Sequence, residues 1–199
     1  RAGVLAEAPD VVRGADQVVE LLLQRRADPN TPDASRRTPL LHAISLRRPR
    51  AVALLLDADA DASRADADGA TAALLATEHA PELLGALVAA GAGLNAMYRG
   101  ATPLSLALRL GALGTAEELV RLGADPNSVC LGVAPLEAAA ARGARGLVRC
   151  LLDHRGDARA RGPTGKLPGD AAAEAGFQEV AALLAAAVVS QATQPAGVG

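Results

Sequence analysis

Residues Thr102–Asn127 read TPLSLALRLGALGTAEELVRLGADPN, and this stretch decides the fold. Thr-Pro-Leu opens a short apolar helix, because Thr is a good N-cap residue and Pro suits the first helical position. Gly111 and Gly114 predict a break in that helix, and a second, amphipathic helix is expected over Ala116–Leu122. Both helices are too short to be stable alone, so the unit must pack against copies of itself.

Copies of this unit recur along the chain at nearly constant spacing. The opening triplets begin at positions 38, 71, 102, 134 and 167, which are 33, 31, 32 and 33 residues apart. Relatives of the closing motif Gly-Ala-Asp-Pro-Asn end at Asn30, Asp61, Asn95, Asn127 and Asp157. Two motifs that recur in fixed phase indicate a repeat architecture, in which each unit packs on its neighbours.

The two motifs resemble those of the ankyrin-repeat family. The resemblance implies an all-α fold: a solenoid of about six stacked helix-turn-helix units joined by β-hairpin-like loops. The units are placed at about 1–30, 31–63, 64–95, 96–127, 128–160 and 161–189, as one ankyrin-repeat domain over residues 1–189. Residues 190–199 have the composition of a disordered tail.

Two units depart from the pattern. In the first, Pro9 falls inside the expected first helix, Leu5–Arg13, so this helix should be distorted and frayed. In the third, Ala72 and Ala73 replace Pro and Leu, and Pro81 lies at the turn between the helices. We expect the third to be the least regular interior unit.

Composition argues against several functional classes. Hydrophobic residues make up 50% of the chain but aromatic residues only 1%, and the net charge is −2. With few side chains for base stacking and no basic excess, nucleic-acid binding is not expected. Two cysteines, Cys130 and Cys150, are too few for a disulfide framework, which favours a reduced compartment and a cytoplasmic and/or nuclear location.

The longest apolar run is Val180–Val189. It has half the length of about 20 residues that a bilayer-spanning helix needs, so no membrane segment is expected. A terminal repeat normally has a polar outer face, yet this run is Val, Leu and Ala almost all round. We therefore expect it to self-associate or to be covered by a downstream segment or a partner.

Two stretches suggest a ligand site on inspection. Gly162–Lys166 reads GPTGK, but a Walker-type phosphate loop would need Gly in place of Ala160 and Ser or Thr in place of Leu167. Asp57–Asp68 has carboxylates at positions 1, 3, 5 and 12 of a calcium loop, but it lacks the Gly at position 6 and the Glu at position 12. Repeat phase explains both stretches as ordinary loops.

Catalysis is not predicted either. Cys150 and His154 are four residues apart and could share a helix face, but two ligands do not make a zinc site. No Ser, Cys or carboxylate lies near a histidine in a known nucleophile signature. The sequence therefore predicts a non-enzymatic protein with no cofactor and no metal.

The ankyrin resemblance places partner binding at the loop tips and on the exposed faces of the first helices. The main candidate residues are Met97, Tyr98, Arg99, Arg109, Cys130, Leu131, Val133 and Arg142. Arg37 and His79 hold corresponding positions in the second and third units. An aromatic anchor surrounded by arginines has the composition of an interface hot spot. The alternative is that these residues pack against neighbouring loops.

The sequence thus predicts a non-catalytic protein–protein interaction scaffold, an adaptor or regulatory ankyrin-repeat module. The alternative is a targeting or autoinhibitory region of a larger enzyme, such as a ubiquitin ligase substrate receptor or a kinase, whose catalytic part lies outside this chain. The resemblance also implies that Asn30, Asn95 and Asn127 match loop asparagines that the family can present to an asparaginyl hydroxylase.

Overall fold

A computed structural model of the chain describes residues 9–162 and 165–193. The chain divides into two compact units, Arg1–Gly93 and Leu94–Gly199. The first unit contains α1 (Pro9–Gln24), α2 (Pro39–Ser45), α3 (Pro49–Asp57), α4 (Ala72–His79), a 3-10 helix (Pro81–Leu83) and α5 (Leu84–Ala89). The second unit contains α6 (Pro103–Arg109), α7 (Leu113–Arg121), α8 (Pro135–Ala140), α9 (Arg145–Asp153), α10 (Pro168–Glu174) and α11 (Gln178–Thr193).

The predicted all-α fold is confirmed, and consecutive helices pair as expected. The two helices of each pair contact each other: α2 and α3, α6 and α7, α8 and α9, and α10 and α11. First helices also contact first helices of the next pair, as α6 contacts α8, and second helices contact second helices, as α7 contacts α9. The core is therefore a continuous row of Leu and Ala side chains within each unit.

Threonine fixes the start of three first helices. The backbone N–H of Leu41 donates to the hydroxyl of Thr38, and that of Leu74 to the hydroxyl of Thr71, each at 3.4 Å. At Thr102 the cap is reciprocal: its hydroxyl accepts from the Ser105 N–H at 3.3 Å, and the Ser105 hydroxyl accepts from the Thr102 N–H at 2.9 Å. These bonds satisfy N–H groups that have no partner within the helix.

Asparagine side chains tie successive closing loops together. Asn127 donates to the carbonyl of Arg155 at 3.0 Å and accepts from the N–H of Asp157 at 2.8 Å. Asn30 bonds the next loop in the same way, and Asn95 accepts from the N–H of Asp125 at 2.9 Å. The loop asparagines therefore have structural partners.

The first repeat differs from its prediction. Residues 5–8 of the expected helix Leu5–Arg13 lie outside the described residues, and α1 is continuous from Pro9, the first described residue, to Gln24. The described residues of the expected helix, 9–13, are helical and continue into the rest of α1 without a break. Gly14 stays inside the helix and costs only about 1 kcal/mol there.

Two helix boundaries, the start of α7 and the end of α11, also differ from the prediction. Gly111 ends α6 with φ 71° as predicted, but α7 starts at Leu113, so Gly114 lies in its first turn and does not break a helix. In the tail, α11 continues to Thr193, so Ser190–Thr193 is helical, while residues 194–199 lie outside the described residues. The prediction of a single domain over residues 1–189 stays a prediction.

The third repeat is irregular, as predicted. Its first helix ends at His79, and Pro81 begins a 3-10 helix that leads into the short α5. Ala80 takes a non-helical backbone conformation between them, with φ −151° and ψ 63°. Proline cannot continue the preceding helix, which explains the tighter turn at this point.

Candidate partner-binding surface

Two neighbouring hairpins form the leading loops of α6 and α8. Tyr98 and Ala101 exchange both backbone hydrogen bonds at 2.9 Å, and Cys130 and Val133 do the same at 3.1 and 2.9 Å. Each hairpin therefore has a two-residue turn, Arg99-Gly100 in one and Leu131-Gly132 in the other. All four turn residues have positive φ: 49° and 78° in the first turn, 51° and 71° in the second. Two consecutive positive φ angles indicate type I′ turns.

In both turns a large side chain occupies the first turn position, where the backbone is left-handed. The first residue of a type I′ turn is normally Asn, Asp or Gly, because the left-handed conformation costs other residues about 1–2 kcal/mol. Here that position is filled by Arg99 and Leu131. Neither residue is favoured there by backbone stability, so both are candidates for a functional role.

The two tips lie against each other. A methyl group built on Gly100 would come within 3.0 Å of Leu131 Cδ2, so the Leu131 side chain covers Gly100. The Arg99 guanidinium stacks over the Tyr98 ring, 4.9 Å from its centroid, in a cation–π arrangement. Leu131 nevertheless leaves 53% of its surface exposed, and the neighbouring Met97 is also exposed. We call Met97, Tyr98, Arg99 and Leu131 the tip cluster.

The structure does not add Cys130 to this cluster. Cys130 is 7% exposed, whereas Tyr98, which holds the same position in the other hairpin, is half-buried. The prediction that a partner contacts Cys130 stays a prediction. Val133, its partner in the bridge, is half-buried.

Arg109 and Arg142 are exposed but lie away from the tips. Arg109 ends α6, seven residues after Thr102, which is about 10 Å along the axis. Arg142 follows α8 and donates to the carbonyl of Ala138 at 2.9 Å. Next to Arg109, Leu110 is an exposed apolar residue that the sequence analysis did not select.

The two hairpins and α6 carry positive charge alone. No Asp or Glu occurs in residues 96–116 or 126–136, which include both hairpins and all of α6. Arg99 and Arg109 are the charged residues of the first of these segments. An acidic ligand would meet no like charge from these segments.

In the first unit, Arg37 and His79 are engaged within the chain. Arg37 pairs with the buried carboxylate of Asp66 at 3.3 Å, and the Ala67 N–H donates to the Ser35 carbonyl at 2.8 Å, so the two bonds join successive hairpins. His79 lies 4.0 Å from its neighbour Glu78. Both side chains therefore already have contacts within the chain.

One polar cluster beside Arg37 was not predicted from the sequence. His42 Nε2 lies 2.8 Å from Asp33 Oδ2, and the Arg37 N–H donates to Asp33 Oδ1 at 2.9 Å. The hydrogen bond from His42 is the main cause that lowers the pKa of Asp33. Together with Asp66 these residues line a cavity of about 270 Å³. The signal available in the sequence was His42 itself, directly after the helix start Thr38-Pro39-Leu40-Leu41.

The carboxylates of the calcium-like stretch serve its own loops. Asp61 Oδ1 accepts from the N–H and the hydroxyl of Ser63 at 2.9 and 2.5 Å, and these bonds lower the pKa of Asp61. Asp66 Oδ1 accepts from the N–H groups of Asp68 and Ala70. Across residues 9–162 and 165–193, no three His, Cys, Asp or Glu side chains are grouped to hold a metal ion.

The other two candidate sites, the Cys150–His154 pair and the phosphate-loop-like stretch, also make local contacts within the chain. Burial raises the pKa of the Cys150 thiol, and His154 Nδ1 lies 2.8 Å from the Cys150 carbonyl oxygen, so this pair shows no activated thiolate. In the phosphate-loop-like stretch, residues 163 and 164 lie outside the described residues, and Lys166 pairs with Glu174.

Of the helices that the structure describes, none has the length and hydropathy to cross a membrane.

Comparison with protein families identifies the repeats. The profile described as "Ankyrin repeats (3 copies)" matches residues 10–97, and the profile described as "Ankyrin repeat" matches residues 99–130. A comparison with curated proteins finds no match. The matched residues cover more than half of the chain, and they include the threonine caps at Thr38, Thr71 and Thr102. The chain therefore belongs to the ankyrin-repeat family.

Proposed function

We propose that the protein is a non-catalytic adaptor or regulatory scaffold that binds a protein partner through the tip cluster. Ankyrin repeats are generally protein–protein interaction modules, which supports the class of function. One observation carries the choice of surface: both hairpins hold a large side chain, Arg99 or Leu131, where backbone geometry favours Asn or Gly. The proposed location is cytoplasmic and/or nuclear.

The contacts within the tip cluster define what a partner must offer. Leu131 and Met97 present apolar surface, and a partner side chain that covers both would remove it from water. Arg99 is fixed by its stacking on Tyr98, so less side-chain entropy is lost when it pairs with a carboxylate. Arg109 extends the same positive charge along α6. The proposed partner is therefore an acidic segment with an apolar side chain.

The C-terminal run Val180–Val189 forms a second, separate surface. Val180 and Leu184 are buried in the second unit, whereas Val189 is exposed. We propose that this helix self-associates or is covered by another segment.

The experiment is affinity capture with four baits: wild type, Tyr98→Ala/Arg99→Ala, Leu131→Asn and Leu46→Asn. Leu46 ends α2 in the first unit and is at least as exposed as Leu131, so it controls for loss of an exposed leucine. We expect partners that Leu46→Asn retains and both tip variants lose. For a purified partner, each tip variant should weaken binding by about 2 kcal/mol or more.

The same variants distinguish binding from packing. If the tip cluster serves a partner, Leu131→Asn keeps or raises the melting temperature, because Asn suits the turn better than Leu does. A clear drop in melting temperature, or full retention of partners by both tip variants, would show that these residues pack within the chain and would reject the proposal.

A further inference from the structure

Helix α1 exposes a face that the other second helices bury. In register, Leu22 of α1 corresponds to Leu55, Leu87, Leu119 and Leu151, which are at most 2% exposed. Leu22 is 53% exposed. In the other repeats a separate first helix contacts the second helix, whereas residues 9–24 form one helix.

The exposed face of α1 is a stripe. Val18, Leu21 and Leu22 are all exposed, at i, i+3 and i+4, so they lie on one side of the helix. Arg25, exposed as well, comes one turn later at i+7 and ends the stripe with a positive charge. We call Val18, Leu21, Leu22 and Arg25 the α1 stripe.

Helices α10 and α11 form a groove in the second unit. The groove has a volume of about 380 Å³, and small residues line much of it: Gly169, Ala173, Ala181 and Ala185. Asp170 lines it too, and its side chain is exposed in the first turn of α10. The groove is apolar except for this carboxylate.

The α1 stripe and the groove are complementary in size and in charge. Two leucines and a valine project from the stripe, and in the groove Gly and Ala residues leave space between the larger lining residues Leu167, Leu184 and Val188. Large residues that enter spaces between small ones give close packing. Arg25 and Asp170 carry opposite charges at the margins of the two apolar surfaces.

We propose that α1 of one copy docks in the α10–α11 groove of a second copy, so that chains associate head to tail. This inference rests on the proposed self-association of the C-terminal helix, and it uses neither the tip cluster nor its partner. The two surfaces differ, so the interface is heterologous and each added copy presents another free stripe and groove. Association therefore continues with rising concentration and does not stop at a dimer unless the ends meet in a ring.

Sedimentation velocity of the 199-residue chain tests the proposal. Over about a hundredfold range of concentration, the mean mass of the wild type should rise by mass action. Leu22→Gln should weaken association by about tenfold, because it places a polar group in the apolar contact. Val129→Gln is the matched control, since Val129 is about as exposed as Leu22 but lies outside both surfaces. It should associate like the wild type.

A charge exchange tests the pairing itself. Arg25→Glu and Asp170→Arg should each weaken association by about tenfold, because like charges then meet. A mixture of these two variants, or one chain that carries both changes, should recover association. Circular dichroism checks that each variant keeps its helices.

Three results would overturn the proposal. A wild-type mass of one chain at every concentration would leave the groove to another protein or to another segment of the chain. A rising mass that Leu22→Gln does not change would place self-association elsewhere. Failure of the charge exchange to recover association would show that the α1 stripe and the groove do not pair.

Discussion

Leu131 and Arg99 occupy the turn position that asparagine or glycine fills in most type I′ hairpins. We predict that Leu131→Asn raises the free energy of unfolding by up to about 1 kcal/mol, because it relieves an unfavourable left-handed conformation. Urea unfolding followed by circular dichroism measures the change. Gly132→Ala is the control in the same turn, and with φ 71° it should instead destabilise by about 1 kcal/mol. Destabilisation by Leu131→Asn as well would mean that the leucine is held by packing.

Asp33 should make the stability of the protein depend on pH. Its pKa is lowered by the hydrogen bond from His42, then by that from the Arg37 N–H. Because the folded-state pKa lies below the unfolded value of about 3.9, the carboxylate adds stability above that pH, and this stability is lost as the pH falls through the folded-state pKa.

His42→Ala removes the largest cause of that shift, so the pKa of Asp33 should move up toward its usual value. An NMR titration of the Asp33 carboxyl carbon in both proteins measures the movement. Asp61 provides the internal control, because its lowered pKa depends on Ser63 and Arg64 and should stay the same in His42→Ala. An unchanged pKa of Asp33 would show that the bond from His42 does not form in solution.

At the scale of helices and loops, Leu22 and Leu119 allow a matched comparison. They hold the same register position in α1 and α7, but only Leu119 is fully buried. Leu119→Ala should cost about 2–5 kcal/mol of stability, since it leaves a cavity in the core. Leu22→Ala, measured by urea unfolding at low protein concentration, should cost less than about 1 kcal/mol, because solvent already reaches the site. Equal losses would contradict the open face of α1.

Loop spacing is set by asparagine, and this too can be tested. Asn127→Ala removes two hydrogen bonds to the next closing loop and leaves the Arg155 carbonyl and the Asp157 N–H without these partners. We expect a loss of about 1–3 kcal/mol in urea unfolding. Asn95→Ala serves as the comparison and should cost less, because Asn95 makes a single described bond to the next loop, at Asp125. The reverse order would mean that the loops are positioned by other contacts.

The elements that the sequence predicted are those whose signals are local. Thr-Pro-Leu starts a helix through a cap three residues away, and Gly111 ends one through its own φ angle. The end of α11 depends on distant residues: Gln191 donates to the Gly156 carbonyl at 2.8 Å and accepts from the Ala158 N–H at 3.0 Å. From composition alone, residues 190–199 were predicted to be a disordered tail, because no local sequence pattern encodes hydrogen bonds to a loop more than 30 residues away.

The candidate surface was predictable in part for the same reason. Repeat phase placed Arg99 and Leu131 at the loop tips, and the structure agrees. Phase could not tell which hairpin residues face inward, so Cys130 was assigned to the surface although it is buried. The stacking of Arg99 on Tyr98 and the cover of Gly100 by Leu131 depend on side-chain packing, which spacing does not specify.

For the molecule as a whole, the chain consists of two compact units, each built from helices that contact mainly their neighbours. In a repeat array, stability is approximately the sum of repeat terms and nearest-neighbour terms. A core defect should therefore loosen the helices around it and leave distant helices protected, unlike a defect in a globular domain with one shared core.

Hydrogen exchange with mass spectrometry should show this locality. Leu119→Ala should speed amide exchange in α6, α7 and α9, which pack around the cavity or on its helix, and leave α2 and α3 at wild-type rates. Leu55→Ala, at the same register position in α3, is the reciprocal control: it should speed exchange in α1, α2 and α3 and spare α8 to α11. Exchange that rises equally in both units for either variant would mean that the array unfolds as one cooperative body, with coupling beyond nearest neighbours.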